Sequence, residues 1–146
     1  MNDENIHESA KVKHYKELLV WQRSMLLAKL AYQLTLRFPA EEKFGLVSMI
    51  CRTAVSIPSS IAKGQARHET RDFLQQLSYA DGYLAELETQ LLLSVELGFC
   101  SESDVQAPLK EIDELQRMLT AICRKLGTPL ATPHSPLPQG EAKDSF

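Results

Sequence analysis

Apolar residues recur at helical spacing along four stretches of the chain, and each stretch closes on a proline or a glycine. The first runs from about Tyr15 to Phe38, with Leu18, Leu19, Leu26, Leu30 and Leu34 among its apolar positions and Pro39 after it. The second runs from about Glu42 to Lys63 and carries Leu46, Val47, Ile50, Ala54, Ile57 and Ile61, with Gly64 placed as a C-cap. Pro58 stands inside that stripe. A proline there removes a backbone donor and clashes with the carbonyl four residues back, at a cost of roughly 3 kcal/mol. A turn at Pro58 would break the shared stripe, so one kinked helix is expected, with Ala54, Ser56, Ser59, Ser60 and Ala62 small enough for a neighbour to approach closely. The Ala54 carbonyl, freed by the proline, is expected to meet a serine hydroxyl or water.

The third stretch extends from Thr70, a suitable N-cap, to Leu97, with Gly98 as its terminator. Phe73, Leu77, Ala80, Leu84, Leu87, Leu91 and Val95 form its stripe at 100° per residue. Its apolar positions do not stop there. Leu74, Ala85 and Leu92 widen the stripe on one side, and Tyr79, Tyr83, Leu93 and Leu97 extend beyond the other. One neighbouring helix cannot bury so broad an arc, and a homo-oligomer is the economical expectation. The fourth stretch starts near Ser103 or Asp104, where Ser103 and Gln106 fit a capping box, and Pro108 lies close to the first turn. Ile112, Leu115, Leu119, Ile122 and Leu126 form its stripe, and Gly127 follows.

Four such helices with short connections predict an all-α protein, an antiparallel up-down-up-down four-helix bundle over residues 14–127. Residues 1–13 are polar and expected to be flexible. Residues 128–146 are expected to be a disordered Pro-rich tail, because the last twenty residues hold four prolines and little apolar area. No apolar run approaches the roughly 20 residues of a membrane span, and the polar start "MNDENIHESAKVKH" lacks the apolar run of a signal peptide. Cys51, Cys100 and Cys123 are odd in number and form no CxxC pair, which fits buried thiols in a reducing compartment. A cytoplasmic location is expected.

Charge adds an asymmetry that the net value of −3 conceals. Residues 11–71 hold eleven Lys and Arg against four Asp and Glu, while residues 72–109 hold seven Asp and Glu and no Lys or Arg. The two segments either complement each other, within a chain or between subunits, or present a basic face to a polyanion. Arg52 and Lys63 are eleven apart and share a face if the second helix continues through Pro58, and Arg67 and Arg71 cluster at the turn into the third. These four are the candidate phosphate contacts. Trp21 and Tyr32 fit core or interface positions better than base-stacking platforms.

Asp81 and Glu88, seven apart near the edge of the third stripe, are the candidate paired carboxylates. An ion pair with an arginine of another helix, such as Arg23 or Arg52, accounts for them more simply than an acid/base or metal site. No Glu-x-x-His motif accompanies them, and His7, His14, His68 and His134 share no ligand spacing. With no nucleophile elbow and no Gly-rich phosphate loop, neither an enzyme nor a cofactor is expected.

The segments "YKELLVWQRSMLLAKLAYQLT", "FPAEEKFGLVSMICRTAVSIPSSIAKG", "RDFLQQLSYADGYLAELETQL" and "LGF" resemble, in order and spacing, a family of bacterial four-helix-bundle proteins. That family was first recognised as reading frames within intervening sequences of 23S ribosomal RNA genes. The resemblance covers about residues 14–126, with "SIPSSIAKG" and "ELETQL" its most specific pieces. It implies a ring-like homopentamer. It also implies kinship with the accessory bundle proteins of diversity-generating retroelements, whose basic pentamer surface is thought to bind nucleic acid and a reverse transcriptase. By the same resemblance, Pro58, Gly64, Glu86, Glu88 and Gln90 take structural or interfacial roles. Lys63 departs from the family pattern, which commonly has an acidic residue before the glycine.

Overall fold

The computed structural model describes residues 14–127; the expectations for residues 1–13 and 128–146 lie outside the described residues. Four α-helices account for most of it: α1 (Leu19–Thr35), α2 (Leu46–Ala66), α3 (Thr70–Glu96) and α4 (Glu102–Lys125). Single 3-10 turns at Tyr15–Glu17 and Ala40–Glu42 precede α1 and α2, and there is no strand among the described residues. The main packing contacts run α1 to α2, α2 to α3, α3 to α4 and α4 back to α1. One core fills the space between them, an arrangement that fits a helical bundle.

The first apolar stretch divides because Leu18 is extended, at φ −74° and ψ 126°, which separates the 3-10 turn from α1. Its buried row is Val20, Ser24, Leu27, Ala28, Ala31 and Leu34, whereas Leu19 and Leu26, among the apolar positions of the stretch, are exposed. Apolar residues ring this helix on several sides, so period alone does not select its inner face. α2 begins at Leu46 rather than near Glu42. The Glu42 carboxylate accepts from the Leu46 N–H at 3.0 Å and caps the helix from the preceding turn.

α2 is one uninterrupted helix through Pro58, with Ile50, Ala54, Ile57, Pro58 and Ile61 buried. The flanking serines do not serve the Ala54 carbonyl. Ser56 Oγ donates to the Arg52 carbonyl and Ser60 Oγ to the Ser56 carbonyl, each at 2.8 Å. Gly64 is not a C-cap: α2 continues two residues past it to Ala66. Its role is close approach. A Cβ built on Gly64 would lie 2.8 Å from Gln76 Cβ and 3.2 Å from Phe73 Cα, so the missing side chain lets α2 press against the start of α3.

The N-cap of α3 is Glu69, without a side-chain capping bond, and Thr70 is already the first helical residue. Its C-terminus closes at Gly98, where φ is +76°. The Phe99 N–H reaches the Ser94 carbonyl and the Gly98 N–H reaches that of Val95, a Schellman motif. α4 starts earlier than expected, through a different capping box. Ser101 Oγ accepts from the Asp104 N–H at 3.2 Å, and the Asp104 carboxylate accepts from the Ser101 N–H at 2.9 Å. Pro108 consequently sits in the second turn, buried against the core.

Candidate functional site

The outward face of α2 carries Arg52, Val55, Ser56, Ser59 and Lys63. Serines at two of these positions keep the helix surface low. The side chains of Tyr32 from α1 and Tyr83 from α3 rise beside it, and the result is an open trough of about 330 Å³. Cys51 and Ser60 complete its lining. Arg52 and Lys63 thus share one face, three helical turns apart, because α2 runs unbroken through Pro58. Tyr32, placed by its sequence position in a core or interface, is 51% exposed and lines the trough.

Arg67 and Arg71 do not line the trough. Arg67 is the C-cap of α2, and Arg71 lies in the first turn of α3. His68 turns the chain between them in the left-handed region at φ +57°. Arg67 sits where the helix dipole favours a cation, and Arg71 where it disfavours one. All four candidate cations are exposed, and none forms an ion pair with a described residue. Ion pairs go instead to Arg23 with Glu111, Arg37 with Asp104 and Arg117 with Asp113.

The carboxylates of α3 are arranged differently from expectation. Arg23 binds Glu111 of α4 at 2.9 Å rather than Asp81 or Glu88, and Arg52 binds neither. Asp81 is half-buried beside Cys123, and burial pushes its carboxyl above the usual carboxylate range. The Cys123 thiol is pushed up too, by burial first and then by the Asp81 charge. Glu88 is half-buried and Glu86 exposed on the same helix. Gln90 is buried and ties α3 to α2: its amide donates to the Thr53 hydroxyl at 3.1 Å, which donates to the Met49 carbonyl at 2.9 Å. Among the described residues, no group of three or more His, Cys, Asp or Glu lies together in a way that could hold a metal ion. Nor is any described helix long and apolar enough to cross a membrane.

Asp81 and Asp104 load the pH dependence with opposite signs. Asp81 holds its proton more tightly in the folded chain, so its ionisation weakens the fold as pH rises through and above the ordinary carboxylate range. Asp104 is held low, first by its backbone and side-chain bonds with Ser101, so its contribution is present above that range and lost as pH falls. Asp81→Asn should therefore raise the urea midpoint at about pH 7 and lose that advantage near pH 3, with Asp104→Asn doing the reverse. A midpoint for Asp81→Asn below wild type at neutral pH would show that the ionised carboxylate is satisfied.

The fold and the surface define an all-α helical-bundle protein that carries a basic, tyrosine-flanked trough on its surface. Within that class, the chain belongs to the 23S rRNA-intervening sequence protein family, whose sequence model matches residues 16–121. That span takes in all of α1, α2 and α3 and most of α4. A search among curated proteins found no match.

Proposed function

We propose that the chain is a non-enzymatic, cytoplasmic homo-oligomer that binds nucleic acid or a ribonucleoprotein through Arg52, Lys63, Arg67 and Arg71. The observation that carries this function is the set of four exposed cations without carboxylate partners, one of them at a helix N-terminus where the dipole opposes it. Placement of that kind does little for the fold and suits contact with phosphate. Self-association draws on exposed Tyr79, Leu92, Leu93 and Leu97 of α3, more apolar surface than a monomeric helix ordinarily leaves open. Short connections and the cyclic order of helix contacts support an antiparallel up-down bundle; a bend at Pro58 and assembly as the homopentamer that the family resemblance implies complete the proposal. No membrane partner and no cofactor enters this function.

A second function rests on a separate observation: Asp81, Glu86 and Glu88 have no ion-pair partner among the described residues. A protein-interaction scaffold would use them to receive the basic segment of a neighbouring subunit, and the charged faces would then serve assembly alone. Fluorescence anisotropy with labelled RNA and DNA across a salt series separates the two. Nucleic-acid binding predicts an affinity that falls steeply with salt and is lost in Lys63→Glu/Arg67→Glu, with the oligomer mass by light scattering unchanged. Absence of binding at low salt, with the oligomer breaking up in Arg52→Glu or Glu88→Arg, would establish the scaffold instead.

A further inference from the structure

Resting on the nucleic-acid function proposed above, we infer that the α2 trough takes single strands, with unstacked bases against Tyr32 and Tyr83 and phosphates on Arg52 and Lys63. Three features of the trough lead there together. The first is its chemistry: two aromatic side chains, two cations without carboxylate partners, and Ser59, whose hydroxyl bonds to no described residue, border one space. The tyrosine hydroxyls likewise bond to no described residue. Tyr32 is exposed and Tyr83 half-buried against the core; ring faces beside cations are the combination that single-strand binders use, because every base has a face to stack and every nucleotide a phosphate.

The second feature is size. About 330 Å³ is at the small end of ligand-binding clefts and holds the base and sugar of a nucleotide. Of the exposed large apolar side chains, Tyr32 and Val55 line the trough, while Leu92, Leu93, Leu97 and Phe44 lie outside it. The third is spacing. Arg52 and Lys63 are about 16 Å apart along the helix axis, so a strand that reaches both must run along α2 past the tyrosines. In a duplex the bases are stacked on one another and withheld from Tyr32 and Tyr83, which leaves only backbone contact.

The test uses the full chain, a labelled single-stranded RNA of mixed sequence and about a dozen nucleotides, and the duplex of the same sequence, at fixed low salt. Single strand is expected to bind at least ten-fold more tightly than duplex. Tyr32→Ala and Tyr83→Leu are each expected to weaken single-strand binding five-fold or more while leaving the duplex value and the salt slope unchanged. Tyr32→Phe, which keeps the ring, is expected to bind as wild type. Circular dichroism and oligomer mass confirm that each variant is folded and assembled.

Equal affinity for both forms, unmoved by the tyrosine changes but lost in Arg67→Glu/Arg71→Glu, would overturn the trough and leave the basic-face function standing. No binding of either form would overturn both. A change of oligomer mass in Tyr32→Ala or Arg52→Glu would overturn the trough as a nucleic-acid site and assign it to a second copy of the chain.

Discussion

Gly64→Ala is expected to destabilise the protein, and Gly82→Ala to stabilise it, although both exchange a helical glycine for the best helix former. At Gly64 the new Cβ would lie 2.8 Å from Gln76 Cβ and 3.2 Å from Phe73 Cα. The second of these is backbone, so relief requires α2 and α3 to part. Overpacking of this kind costs about 1–3 kcal/mol, and helix propensity returns at most about 1 kcal/mol, for a net loss of up to about 2 kcal/mol. At Gly82 nothing lies within 4 Å of the built Cβ, so only the propensity gain of about 0.5–1 kcal/mol remains. Urea denaturation of both variants at one protein concentration checks the pair, since an oligomer's stability moves with concentration. Stabilisation by Gly64→Ala would mean that the helices separate without cost.

Arg23→Met is expected to cost more than any change at a surface cation. Arg23 Nη2 donates to Glu111 Oε1 at 2.9 Å, and Arg23 Nε and Glu111 Oε2 are buried without partners in the described chain. Removing the cation leaves the Glu111 carboxylate, 15% exposed, against the α1–α4 contact with no charge to answer it. A fully buried pair broken on one side loses roughly 3–5 kcal/mol. Arg23 is 38% exposed, so solvent screens part of that, and about 1–3 kcal/mol is expected. Arg23→Met/Glu111→Leu should recover most of the loss, because apolar groups of similar size replace a pair whose hydrogen bonding is incomplete. Equal loss in the single and double variants would show that packing of the arginine stem, not the pair, is what matters.

These same residues mark the limits of sequence reading. The stripe Ile50, Ala54, Ile57 and Ile61 carried enough periodic signal to override Pro58, because four positions agreeing on one face outweigh one missing donor. Gly64 reads as a C-cap in sequence yet serves a close helix crossing, because glycine marks both with the same letter and only the neighbouring helix distinguishes them. Ser103 and Gln106 fit the capping-box spacing, but the N-cap is Ser101, because the Asp104 carboxylate closes the box on the Ser101 N–H. Partners far apart along the chain leave no local signal. Arg23 finds Glu111, 88 positions away, on a helix whose rotation about its own axis no local pattern sets. At the candidate site, Arg52 and Lys63 were legible as one face, but the tyrosines beside them come from two other helices and needed tertiary placement.

Two ion pairs among the described residues link distant parts of the chain: Arg23–Glu111 joins α1 to α4, and Arg37, two residues past the end of α1, reaches Asp104 in the first turn of α4. They span 88 and 67 positions of chain, so the contact with the greatest loop-closure entropy is also the one fastened by charge. The α2–α3 pair closes over a short turn and is held by apolar packing and the approach at Gly64. Opening therefore has a preferred place. Acid removes the carboxylate charge from the outer seam while leaving the inner hairpin's contacts in place, so amides of α1 and α4 should exchange with solvent through a partial unfolding that α2 and α3 do not share.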